Sequence, residues 1–272
     1  MPALSDWVEM EVLVTVKAYP SISTKYSEAV CVAGVRLDTA TPEWVRLFPV
    51  GFRDLEREHQ FEKYDVIHLR ARKHSTDTRQ ETWRPDVDSI EVLRHLPAGG
   101  TWPERRAIVE RLVGPSMCAL RRGRVRNGPG PSLGLVKPRE VRGVRVADEK
   151  AWSAGQLGTV GQTNLLTEKS ELVKPAHAFF YDWVCEERGC NGHRQKIVDW
   201  ELGQSYRSWK YIGAELINAV STKWHGAMCA PDREPMFFVG DQHTRPGQFL
   251  VLGTFWPKRP LVSPQLAFEL AV

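Results

Sequence analysis

Three soft metal donors fall within nine residues of this chain: Cys185, Cys190 and His193. The C-x4-C-x2-H spacing matters because zinc takes about four N or S donors in a tetrahedron, and short Cys-to-Cys turns supply two of them without strain. Gly189 beside Cys190 and Gly192 beside His193 provide the backbone freedom such turns use. Three donors leave the set one short. His225, Cys229 and His243 lie further along, and His243 is the expected fourth ligand of a structural Zn2+. Nothing marks an open coordination position, so a structural ion is expected rather than a catalytic one. Two ordinary cysteines in a hairpin beside an exposed histidine would show the same spacing.

Asp199 and Glu201 follow immediately and offer a second chemistry. Acids two apart share a face on a strand and could hold a catalytic metal, as in a nuclease or another hydrolase. A helical period begins directly after them, and on a helix residues two apart diverge. Asp199 also suits a helix N-cap, with Glu201 in a first turn favoured by the macrodipole. Capping is therefore expected, and the metal-dependent hydrolase stands as the alternative. The sequence has no Walker phosphate loop, no G-x-G-x-x-G after a strand, no G-x-S-x-G and no H-E-x-x-H. Cys31 reads as a buried structural thiol. Cys118, ahead of an arginine-rich stretch, reads as a thiol with a lowered pKa and no histidine near it in sequence.

Charge is unevenly placed. The chain carries +4, yet Arg121 to Arg145 alone holds eight basic residues against one acid, leaving the remainder at −3. Local basicity of this kind is the form an anionic partner surface takes, although a solvated basic loop has the same composition. Aromatic residues interleave with arginine at Trp44-Val45-Arg46, Phe52-Arg53 and Trp83-Arg84. Such strands can stack bases and track phosphates. The expected phosphate contacts are Lys25, Arg46, Arg53, Arg84, Arg121, Arg122, Arg124 and Arg126, and the expected stacking residues are Trp44, Phe52 and Trp83.

These residues need a scaffold. Val12–Val16, Ala29–Leu37, Trp44–Val50 and Asp65–Ala71 read as strands with short polar connections, as expected of a small antiparallel barrel or sandwich. Trp102–Leu112 reads as a short helix capped by Thr101, and Gly123–Pro131 as a loop or junction. Ala178–Cys185 is β-prone and runs into the Cys/His cluster. Apolar residues from Leu202 to Trp224 recur at three and four, predicting one helix of about six turns. Phe237–Gly240 and Phe249–Trp256 read as a hairpin. Composition is that of a soluble globular protein, with 42% hydrophobic and 26% charged residues. The absence of a secretory leader, of a bilayer-length apolar run and of an even cysteine count point to a reduced cytoplasmic protein with no membrane partner.

Several of these stretches together resemble a known family. They are Val12–Val16 leading into Ser23-Thr24-Lys25-Tyr26-Ser27-Glu28, then Trp44–Arg53, Ser132–Pro138, and the cysteine cluster with Asp199-Trp200-Glu201. The hairpin Phe237–Gly240 with Phe249–Gly253 completes the set. The chain resembles the bacterial dual oligonucleotide-binding-fold (dual OB) proteins. That resemblance implies a mainly β protein of two small OB-like antiparallel barrels and nucleic-acid binding, single-stranded DNA or RNA, in defence or nucleic-acid processing. The expected domains are a first barrel with closing helix at 1–115, a basic junction at 116–131, and a second barrel at 132–272 carrying the knuckle and a long helix. A module that senses a protein partner is the further alternative.

Overall fold

The computed structural model describes residues 6–23, 27–126, 130–149 and 175–260. Its N-terminal half is built from seven strands: Val8–Lys17 (β1), Ser21–Ser23 (β2), Ser27–Arg36 (β3), Glu43–Val50 (β4), Asp65–Lys73 (β5), Thr82–Pro85 (β6) and Glu91–His95 (β7). The order β1-β3-β4-β6-β5 closes on itself because β5 also pairs with β1, giving a five-stranded barrel. All pairs are antiparallel except β4–β6. β2 extends the sheet beside β3, and β7 lies beside β5.

Strand β1 is apolar on both faces because it separates two cores. Met10, Val12 and Val14 point into the barrel with Val30, Val45, Leu47 and Ile67. Leu13 and Val16 point outward into a second cluster. Alternate side chains of a strand take opposite faces, so the apolar run Val12–Val16, broken only by Thr15, which is buried and donates to the Ala33 carbonyl, signals burial on both. β3 crosses β1 closely at Gly34, where a Cβ would sit 2.3 Å from the Leu13 carbonyl oxygen.

The C-terminal half adds Leu133–Val136 (β8), Pro138–Asp148 (β9), His177–Cys185 (β10), His193–Lys196 (β11), Met236–Gln242 (β12) and Arg245–Phe255 (β13). They form two three-stranded sheets, β11-β10-β9 and β13-β12-β8, and no second barrel closes among the described residues. Four α-helices are described: Pro103–Val109 (α1), Met117–Arg126 (α2), Trp200–Ser208 (α3) and Gly213–Ser221 (α4). α2 runs through Gly123, so the glycine-rich stretch expected as a loop or junction begins as helix. Trp102, not Thr101, is the N-cap residue of α1, and it has left-handed backbone with φ 58°.

The single six-turn helix is corrected to two. Trp209 and Ile212 are extended and Gly213 adopts φ +54°, which breaks the helix between Ser208 and Gly213. The three-and-four period survives the break because Leu202, Leu216, Val220 and Trp224 all pack into one cluster with Tyr181, Trp183 and Phe237.

The halves share a core. Six of its sixteen buried members, Leu133, Leu135, Met236, Phe238, Leu252 and Phe255, come from the C-terminal half. At about 1.5–3 kcal/mol for each large side chain, exposing those six would cost as much as a whole domain's net stability, roughly 5–15 kcal/mol. Among the described residues no helix is long and apolar enough to cross a membrane.

Candidate metal centre and basic surfaces

Strand β10 delivers Cys185 at its buried end, and β11 begins at His193, so the cluster occupies the hairpin between them. The loop turns through Gly189 at φ +79° and Gly192 at φ +101°, values that favour glycine. The Cys190 N–H donates to the Glu187 carbonyl at 3.2 Å, and the Gly192 N–H points at Cys190 Sγ at 3.4 Å. The fourth donor is Cys118, from the first turn of α2. Its Sγ lies 3.6 Å from His193 Nε2 and 3.6 Å from Cys185 Sγ, while Cys190 Sγ is 3.3 Å from the same imidazole nitrogen. All four donor atoms lie within 4.8 Å of one another, close enough to bind one metal ion. Tetrahedral zinc has edges of about 3.5–3.8 Å, set by its bond lengths.

His243 is therefore corrected. It sits on the β12–β13 turn, 3.4 Å from Asp77. His225 bonds the Val141 carbonyl and Cys229 the Trp224 carbonyl, both away from the cluster. The expected lowered pKa of Cys118 also reverses: burial and the Cys185 and Cys190 sulfurs push its thiol up to about 12. Burial, aided by Arg121, holds the His193 imidazole below its ordinary value, so the ring is neutral, the form that ligates metals.

An ion held here would staple the β10–β11 hairpin to α2. Three residues brace that joint. Ser116 accepts the Ala119 N–H at the start of α2 and donates to Glu187 Oε2 at 2.6 Å. Arg122 grips both oxygens of Glu187, at 2.5 and 3.0 Å. Hydrogen bonds from Arg122 and Ser116 hold that carboxyl down at about 2.

Asp199 is the N-cap of α3, its Oδ1 accepting the Glu201 N–H at 3.0 Å. Its other oxygen meets Lys63 Nζ at 3.3 Å, and Lys63 also reaches Glu201. The Asp199 carboxylate is 2% exposed. The acids are a cap and an ion pair between the halves.

The residues expected to hold nucleic acid divide by burial. Trp44 packs edge-on against Phe238, beneath the C-terminal half. Arg46 is 3% exposed and donates to the carbonyl and hydroxyl of Ser132 at 3.1 and 2.8 Å. Phe52 is a barrel-core residue, edge-to-face with Phe61 and Trp200 and capped by Lys17 Nζ at 3.3 Å. Arg124 is bound to Asp241 at 2.7 Å and to the Gly130 carbonyl. These four serve packing: Trp44 and Arg46 because that face of β4 meets the other half instead of solvent, Phe52 because it enters the barrel core, and Arg124 because it pairs with Asp241. Arg53 is half-buried. Lys25 and the side chain of Arg126 lie outside the described residues.

The others are accessible. Arg84 is exposed and lines a groove of about 880 Å³ with Trp83, Trp7, Arg72 and Lys73. Arg72 stacks over Trp7 at 4.9 Å and Lys73 over Trp83 at 3.9 Å. Sequence reasoning missed Trp7, Arg72 and Lys73, whose grouping depends on barrel closure between β1 and β5. Around the metal centre, Arg121, Arg122, Arg142, Arg188 and Arg194 are all exposed. Arg121 and Arg194 line one shallow pocket with His193, and Arg142 reaches to within 3.4 Å of where a Cβ on Gly192 would lie.

The molecule is thus a mainly β protein with a closed barrel, a core shared between its two halves, and a Cys3His cluster packed on a separate C-terminal core. Residues 113–270, more than half of the chain, match the domain of unknown function DUF8757, and the chain belongs to that family. Residues 8–111 match the domain of unknown function DUF8758, so the two matches meet at Leu112, within the turn after α1. No curated protein matches the chain.

Proposed function

We propose that this is a nucleic-acid-binding protein, selective for single strands of DNA or RNA, with a structural zinc ion at Cys118, Cys185, Cys190 and His193. The observation that carries the reading is the group of exposed arginines around the Cys/His cluster: Arg122, Arg142 and Arg194 pair with Glu187, Glu140 and Asp182, while Arg121 and Arg188 form no ion pair among the described residues. Arg194 shares Asp182 with Arg145, leaving surplus positive charge on that sheet. Phosphates draw on such a surface through counterion release.

The barrel supports the same reading. Leaving out the short β2, its strands follow the circular order first-second-third-fifth-fourth, with the third and fifth parallel. That order agrees with an OB-type barrel, and the dual OB resemblance extends the proposal to the C-terminal half. Oligonucleotides on OB barrels stack bases on aromatic rings beside cations, and the Trp7–Trp83 groove offers both. Three sulfurs and one imidazole suit zinc in a closed structural site.

Fluorescence anisotropy of labelled single-stranded DNA and RNA against salt tests the reading. Affinity should fall steeply between 50 and 200 mM salt, and each of Arg121→Ala and Arg194→Ala should lower the slope by about 0.7 for a single strand. No detectable binding at low salt would rule it out. Binding of a protein and not of nucleic acid would favour the partner-sensing alternative.

A further inference from the structure

A cavity of about 630 Å³ lies between the halves, remote in sequence from the metal centre and lined by Lys63, Tyr64, Trp102, Arg105, Lys223 and Trp256, among others. Its volume is that of a small-molecule site, roughly 300–1,000 Å³. Three observations converge on it.

Arg105 is 5% exposed yet has no carboxylate partner among the described residues. Its Nε and Nη2 donate to the Leu96 carbonyl at 2.8 and 2.6 Å, and its guanidinium lies 3.8 Å over the Tyr64 ring and 4.9 Å over Trp102. Its Nη2 also meets His95 Nε2 at 3.4 Å and Glu201 acts on it only through space, so a buried charge of the kind ordinarily paired directly has no carboxylate in contact. Lys223, half-buried on the opposite element, is in the same position: it leans over Trp224 at 4.8 Å, contacts Ser205 Oγ at 3.5 Å, and forms no ion pair among the described residues.

Tyr64 and Trp102 are the only non-glycine residues with positive φ among those described, at 71° and 58°. Left-handed backbone costs a bulky L-residue on the order of 1–2 kcal/mol, and such strain clusters at ligand sites. Here both strained residues line one cavity and touch each other at 6.0 Å between ring centroids. The Tyr64 hydroxyl is also buried, with no hydrogen-bond partner among the described residues.

We infer that this cavity binds a nucleoside monophosphate, its phosphate taken by Arg105 and Lys223 and its base held among the Trp102, Trp256 and Tyr64 rings. Lys63 does not supply the charge, because Asp199 and Glu201 already neutralise it. The site is separate from the arginine rim and does not depend on the chain binding oligonucleotides.

Isothermal titration and thermal melting of the full chain with AMP, GMP, CMP, UMP, inorganic phosphate and adenosine test it. At least one nucleotide should bind and raise the melting temperature. Lys223→Met, whose aliphatic stem keeps the contact with Trp224, should weaken that binding at least about tenfold, the share of a charge-assisted contact. Inorganic phosphate and adenosine should each bind at least about tenfold more weakly than the best nucleotide, having half of the contacts. Arg121→Ala with Arg194→Ala should leave nucleotide binding unchanged, separating this site from the oligonucleotide surface. If no nucleotide binds, if Lys223→Met binds as well as the wild type, or if phosphate alone binds as tightly as the nucleotide, the assignment is wrong.

Discussion

The barrel and the knuckle sheet solve the same problem, fixing a small β-structure, by different means. The barrel closes its own hydrogen-bond ladder and fills its interior with Val12, Val14, Val32, Leu47 and Leu69, all fully buried. The β9–β10–β11 sheet is open, and much of β9 is exposed. Its β10–β11 end is tied to α2 through the Cys118–His193 cluster and the Ser116–Glu187–Arg122 brace. The barrel interior is held by its own ladder and apolar burial. The other sheet buries β10 in an apolar cluster, but its hairpin end is fixed by a few polar and metal-capable atoms, and so is the part a chemical change can release.

The largest expected effect follows from that dependence. Cys185→Ser, or removal of metal with a strong chelator, should unfold the knuckle end and lower the melting temperature by well over 10 °C, since structural zinc contributes about 10–16 kcal/mol in isolated fingers. Hydrogen exchange should rise first in β11 and α2 and last in β1 and β5. Equal loss of protection in both regions would erase the contrast.

Arg46→Ala probes the seam. It removes two charge-assisted hydrogen bonds to Ser132, whose carbonyl keeps the Asp241 N–H and whose hydroxyl keeps Glu81, and it opens a buried gap, so destabilisation of about 1.5–3 kcal/mol is expected by denaturant unfolding. Its effect on oligonucleotide affinity, measured where the variant is folded, should be negligible. Trp83→Ala acts in reverse, with little stability cost and a loss of about 1–3 kcal/mol in single-strand binding if bases stack there.

The smallest effect concerns pH. Burial depresses the Lys17 ammonium to about 8, although Glu62 and Asp65 oppose the shift. The unfolded chain then holds more protons than the folded one between pH 8 and the ordinary lysine value, so stability gains from Lys17 as pH rises through that window. Lys17→Met should remove that gain, seen as a flatter stability curve from pH 8 to 10. An unchanged slope would place the titration elsewhere.

The contrast also explains what was readable in advance. Four of the five barrel strands were legible because each carries its own apolar pattern, and the Asp199 cap because its signal is local; β6, only Thr82–Pro85 and half polar, was not. Cys185, Cys190 and His193 were legible for the same reason: one hairpin holds all three. Cys118 was not, since it is 67 residues before Cys185 and no spacing distinguishes it from Cys229. Trp44, Arg46 and Phe52 look like a binding strand in isolation. Only the packing of Phe238 and Ser132 over that face, and of Trp200 on Phe52, turns them into structure. The helix break at Trp209–Ile212 escaped because the two helices keep a common buried side.

Metal stoichiometry by elemental analysis of purified wild type, Cys118→Ser and His243→Ala bears most directly on the joint between the two regions. One zinc per chain in the wild type and in His243→Ala, with loss in Cys118→Ser, is the predicted result. Full zinc in Cys118→Ser, or none in the wild type purified without chelator, would contradict it.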